Sequence, residues 1–127
     1  MPASSTLRPT NPYVVQVLQA STTMTASTNG DVQDGFGQST ALRLQLEVTA
    51  ASGTLPTLDV TIEDTLDGTN WNTVATFTQK TTTGLQVINL LAGTTPYADR
   101  LRVKTVIGGT TPSFTFSVKG YARWIVS

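Results

Sequence analysis

The chain has 127 residues, eight basic side chains balanced by eight acidic ones, and neither cysteine nor histidine. That length suits one domain with one buried core. The missing residue types exclude a disulfide scaffold, a thiol nucleophile, a Cys/His zinc site, a Ser-His-Asp triad and a histidine pH switch. The balanced charge lacks the basic footprint of a nucleic-acid binder, and no apolar run approaches the ~20 residues of a membrane span.

Residues 1–12 (MPASSTLRPTNP) read as an extended arm. Pro2, Pro9 and Pro12 remove backbone donors and hold the chain extended, while Ala, Ser and Thr offer too little apolar surface for a core. No charged segment followed by an apolar one is visible there, so no secretory signal is expected. The domain itself is expected over 13–127, with Tyr13–Leu18 as its opening strand. Residues 21–40 read as loop, with turn signals at Asn29-Gly30, Asp34-Gly35 and Gly37.

From there the pattern alternates with period two, the signature of half-buried strands. Leu42, Leu44, Leu46 and Val48 share one face, and Arg43, Gln45, Glu47 and Thr49 the other. Leu58, Val60 and Ile62 are expected inward, with Asp59, Thr61 and Glu63 outward. Residues 51–56 between these runs carry Gly53 and Pro56 and are expected to form a hairpin loop. Trp71–Thr78 and Leu85–Leu91 read as further strands. Arg100–Ile107 is expected to pair with Ser113–Lys119 across residues 108–112, with Leu101, Val103, Phe114, Phe116 and Val118 inward. Tyr121–Val126 closes the chain as a strand. A faint repeat, G-T-x-P-[TS]-apolar-x-apolar-[TS]-apolar, runs from Gly53 to Ile62 and again from Gly109 to Val118. It marks either two like hairpins in facing sheets or one turn solution used twice. Short strands with regular turn signals predict an all-β, antiparallel β-sandwich of jelly-roll or Ig-like type with about eight strands.

Threonine makes up about a fifth of the chain and charged residues only 13%, against roughly 25% in typical soluble domains. Threonine is stiff, favours pleated surfaces and faces water without charge. A nearly uncharged, hydroxyl-rich surface suits a protein that packs beside copies of itself or within an assembly.

The densest polar cluster is the loop Asp64-Thr-Leu-Asp-Gly-Thr-Asn-Trp71. Asp64, Asp67 and Asn70 offer oxygens to calcium, but the spacing is not that of an EF-hand and no bidentate Glu follows. The alternative is structural: Asp67-Gly68 supplies a tight turn, and Asp64 or Asn70 bonds nearby backbone. Glu63 and Asp64 are adjacent and point to opposite faces of a strand, a poor carboxylate pair for glycoside hydrolysis; Asp59 and Glu63 belong to a solvated face. Trp71 and Trp124, with Tyr13, Tyr97 or Tyr121, offer either a sugar-stacking platform or core and interface aromatics. Arg100, Arg102 and Lys104, with Arg43 as a possible fourth member, form a modest basic strip suited to a solvated face, edge protection or ion pairs across a subunit boundary. Neither a catalytic residue nor a cofactor or metal site is expected.

Two runs, LRLQLEVTAASGTLPTLDVTIEDTLDGTNWNTVATF and RVKTVIGGTTPSFTFSVKGYARW, resemble small structural proteins of tailed bacteriophages over residues 41–124. The shared features are a strand, a G-T-x-P turn, a strand ending near an Asp, a D-G-T-N-W loop and a closing strand. D-G-x-x-W also occurs in carbohydrate-binding sandwiches that resemble discoidin domains, which keeps a glycan-binding module as the alternative. Within the phage group the resemblance implies a capsid decoration, or cement, protein: a homotrimer on the capsid surface, contacting a major capsid protein, made in the host cytoplasm. Neck, tail and baseplate proteins reuse similar sandwiches. The arm, through Leu7, Arg8, Pro9, Asn11 and Pro12, is the implied capsid contact. No nucleic acid or membrane partner is implied.

Overall fold

Two strands run through the whole molecule and carry everything else. The structure, a computed structural model, describes residues 13–124, excluding the side chains of Tyr13 and Trp124. Its strands are β1 (Tyr13–Met24), β2 (Thr28–Asn29), β3 (Ser39–Thr65), β4 (Trp71–Thr76), β5 (Gly84–Leu91) and β6 (Arg100–Trp124), with a 3-10 turn at Phe36–Gln38. All pairings between these strands are antiparallel. The capsid-contact residues expected in the arm, Leu7 to Pro12, lie outside the described residues.

β3 and β6 pair from Ser39 opposite Trp124 to Thr65 opposite Arg100. This corrects the expected topology. Residues 51–56 and 108–112 do not reverse the chain: Val48 pairs with Phe116, and Leu58 with Ile107. The Gly and Pro signals were real, but they mark bends within continuous strands. The two copies of the G-T-x-P repeat lie opposite each other, with Ser52 facing Ser113, Thr54 facing Thr110 and Thr57 facing Gly108. Gly53 (φ 115°) and Leu55 (φ 50°) are mirrored by Gly109 (φ 111°) and Thr111 (φ 45°). A Cβ on Gly53 would lie 2.8 Å from the Thr111 carbonyl oxygen, and one on Gly109 would lie 2.7 Å from that of Leu55. Each copy therefore occupies the space that the other leaves, about a local pseudo-twofold axis.

Beyond this corner the ribbon is built out on both sides. On one side the order is β1–β6–β3–β5 and on the other β2–β6–β3–β4, all in one hydrogen-bonded network. We refer to these as the first and second layers. The inward residues of the first layer (Leu42, Leu44, Leu46, Phe114, Phe116, Val118) and of the second (Leu58, Val60, Ile62, Leu101, Val103) are all at most 1% exposed and belong to one core cluster. A sheet face is shielded this fully only when another layer covers it, so the folded ribbon is sandwich-like. The eight expected strands become five, because β3 takes in two of them and β6 three; β2, within residues 21–40 that were expected as loop, is the sixth. Residues 21–24 continue β1 rather than beginning a loop.

Thr105 is the one discordant core residue. It faces inward opposite Val60, is 1% exposed, and its hydroxyl finds no partner. Thr105→Val keeps the shape and removes the unsatisfied group, so it is expected to raise stability by about 1 kcal/mol in urea unfolding. Gly53→Ala and Gly109→Ala meet backbone on both counts, φ and space, and are expected to cost about 2 kcal/mol or more each, by similar amounts.

Candidate functional site

The loop from β3 to β4 is organised by Asp67. Its Oδ1 accepts the backbone N–H groups of Thr69 and Asn70, both at 2.8 Å, and its Oδ2 accepts from the Asn70 side-chain amide at 2.7 Å. The Gly68 N–H donates to the Thr65 hydroxyl at 2.8 Å, and Gly68 takes φ 85°, where a side chain is strained. The donors from Asn70 and Thr69 hold the Asp67 carboxyl well below the usual carboxylate range. Asp64 turns elsewhere, and its Oδ2 accepts the Ala98 N–H at 2.9 Å. The Asp64 and Asp67 oxygens considered for calcium thus accept from the backbone of Ala98, Thr69 and Asn70 and from the Asn70 amide, and no group of three or more potential metal ligands occurs among the described residues.

Beside this loop, on the outer face of the second layer, lies a second cluster. The Arg102 Nε donates to Glu63 at 2.9 Å, and the guanidinium stands 4.1 Å from the centre of the Trp71 ring. The Arg100 Nη2 donates to the Leu66 carbonyl at 3.3 Å. Cross-strand register explains the grouping: Glu63 faces Arg102 and Thr65 faces Arg100 on β6, while Thr65 also faces Trp71 on β4. Asp64, Asp67, Asn70, Trp71, Arg100 and Arg102 therefore come together at one end of the second layer. Trp124 does not join them through the backbone: it ends β6 opposite Ser39 in the first layer, and its side chain lies outside the described set. Tyr97 is half-buried, with its hydroxyl 2.8 Å from that of Ser39.

The chemistry of this cluster is cohesive rather than reactive. Glu63 is 7% exposed and matched by its cation; Asp59 accepts from the Gln79 amide. Among the described residues these carboxylates face separate partners. Arg43 does not belong to the basic strip, because it lies in the first layer opposite Tyr121.

Sequence reasoning missed a different feature. The outer face of the first layer holds two adjoining hollows of about 460 and 330 Å³, which share Arg43 and Tyr121. Val15, Gln45, Lys119 and Gly120 complete the first hollow, while Leu90 and Leu91 wall the second. The signal was the alternation Lys119-x-Tyr121-x-Arg123, legible only once this segment is known to pair with Arg43 and Gln45.

No protein-family model and no curated protein matches the chain. Among solved structures it is similar to the PBSX exported protein XepA, with TM-score 0.56, 14% identity, and coverage of 90% of this chain and 38% of that one. It is also similar to a chain in the structure of infectious bursal disease virus strain Gx, with TM-score 0.57, 13% identity, and coverage of 87% and 31%. The likeness is one of fold, and the chain spans less than two fifths of either neighbour.

Two outcomes follow from the loop and its neighbour. Asp67→Ala is expected to speed hydrogen exchange at the Thr69 and Asn70 amides while leaving the core amides protected. The carboxyl titrates lower when folded, so its contribution is present above the ordinary carboxylate pKa near 4 and is lost progressively as pH falls below it. Arg102→Ala leaves Glu63 shielded without a cation and uncovers Trp71. It is expected to cost about 2 kcal/mol and, in a Trp124→Phe background, to red-shift the indole emission.

Proposed function

We propose that this protein is a non-enzymatic structural component of a virion, and within that class a capsid decoration protein that joins with copies of itself and fastens the junctions between major capsid proteins. The observation that carries the reading is the likeness of its fold to the PBSX exported protein XepA and to a chain of infectious bursal disease virus. The committed polar groups of the loop at residues 64–71 and the low charge of the chain support it. No helix among the described residues is long and apolar enough to cross a membrane, and the reading needs no membrane step.

The mechanism is mechanical. Each contact with the shell is shallow, and several subunits in one oligomer raise effective concentration, so weak contacts add to firm attachment. A protein that binds only the assembled shell stabilises it by mass action. A closed cyclic oligomer, a homotrimer at a threefold position, matches the symmetry of such a site. The arm at residues 1–12 would add surface to the contact.

Deleting residues 1–12 is expected to leave the thermal unfolding of the domain unchanged and to weaken co-sedimentation with capsid shells. Equal co-sedimentation of truncated and full-length protein removes the arm from the account. Failure of the full-length protein to sediment with shells at all removes the decoration role.

A further inference from the structure

Among the described residues, the charged side chains without a partner, apart from Lys104 on β6, fall in two places. On the outer face of the first layer, Arg43 and Lys119 line the 460 Å³ hollow with Val15 and Tyr121, and the one ion pair among the described residues is Arg102–Glu63 on the other layer. Arg123 lies on the same strand two residues beyond Tyr121, and Glu47 is the sole carboxylate on that face among the described residues. The adjoining β5 contributes only uncharged residues, Val87 and Asn89 opposite Gln45 and Arg43. The hollow is thus lined by two cations beside Val15 and Tyr121.

The matching acidic feature is the loop Asp31-Val-Gln-Asp34. Both carboxylates are exposed and neither has a hydrogen-bond or ion partner among the described residues, while Val32 between them is 51% exposed. The loop is nonetheless held firmly. The Gly30 N–H donates to Val103 at 2.7 Å, Gln33 and Leu101 exchange both backbone bonds at 2.8 Å, and the Phe36 N–H donates to Asp99 at 3.1 Å. A pinned loop loses little further freedom on binding. It borders the second layer, whereas the hollow faces outward from the first, so the two do not meet within one copy.

We propose that copies of this chain join head to tail, with the acid–valine–acid loop at Asp31–Asp34 of one copy seated in the Arg43/Lys119 hollow of the next. Charge complementarity selects the occupant: a chain of zero net charge carries both halves of the contact, and Val32 meets Val15 and Tyr121. The contact is heterologous, and it closes into a ring when the rotation per copy permits. This rests on the self-association in the reading above and names the surface that makes it.

The test is sedimentation velocity on the full chain across a concentration series. Arg43→Glu with Lys119→Glu, and separately Asp31→Lys with Asp34→Lys, are each expected to weaken self-association about tenfold or more. All four substitutions in one chain restore complementarity and are expected to recover the oligomer. Thr73→Glu, on β4 at the opposite edge of the second layer from the loop, is expected to change nothing. Thermal melts establish that each variant is folded, since every altered side chain is exposed. A wild-type chain that stays monomeric overturns both the self-association and this contact. A wild-type oligomer that either double variant leaves intact, or that the fourfold variant fails to recover, overturns the contact alone.

Discussion

Two paired strands that pass together from one layer to the next must bend at the same point, and the register of β3 on β6 shifts there. That constraint is met where the two G-T-x-P segments oppose each other, each supplying a glycine at positive φ beside the other's proline. Once the corner exists, the inward faces of both halves of β3 and β6 cover one another, and the core of leucines, valines and phenylalanines closes. Burying such side chains stabilises by roughly 2 kcal/mol each, far more than the strain that two non-glycine residues at positive φ introduce. The internal repeat is therefore the physical device by which a single ribbon becomes two layers.

The fold was legible in the sequence wherever period-two alternation ran without interruption. Every residue assigned inward in the runs 42–48, 57–64 and 100–119 is buried, because a strand with one shielded face leaves no freedom in parity. Chain direction at the glycines was not legible. A Gly-x-x-Pro segment satisfies a hairpin loop and a ribbon corner equally well in local terms, and the decision depends on the opposing segment, 56 residues away, whose partnership no local rule states. The loop at residues 64–71 was readable as an Asp-Gly turn because its chemistry is self-contained. The Arg102–Trp71–Glu63 cluster was not, since its members meet only through register across three strands.

Electrostatics separates the two layers. On the second, the cation Arg102 is consumed by an acid and an aromatic ring, which consolidates the end of the layer. On the first, Arg43 and Lys119 hold a shallow hollow open beside apolar residues. A molecule with little charge gains solubility from hydroxyls instead, and its few unmatched ions are then free to encode which surface meets which.

The most direct measurement is the copy number of this chain in purified particles made from the genome that encodes it, by quantitative mass spectrometry against the shell protein. A structural fastener predicts a fixed ratio to the shell protein that survives extensive washing. Particles that lack the chain, or carry it at a variable trace level, contradict the account.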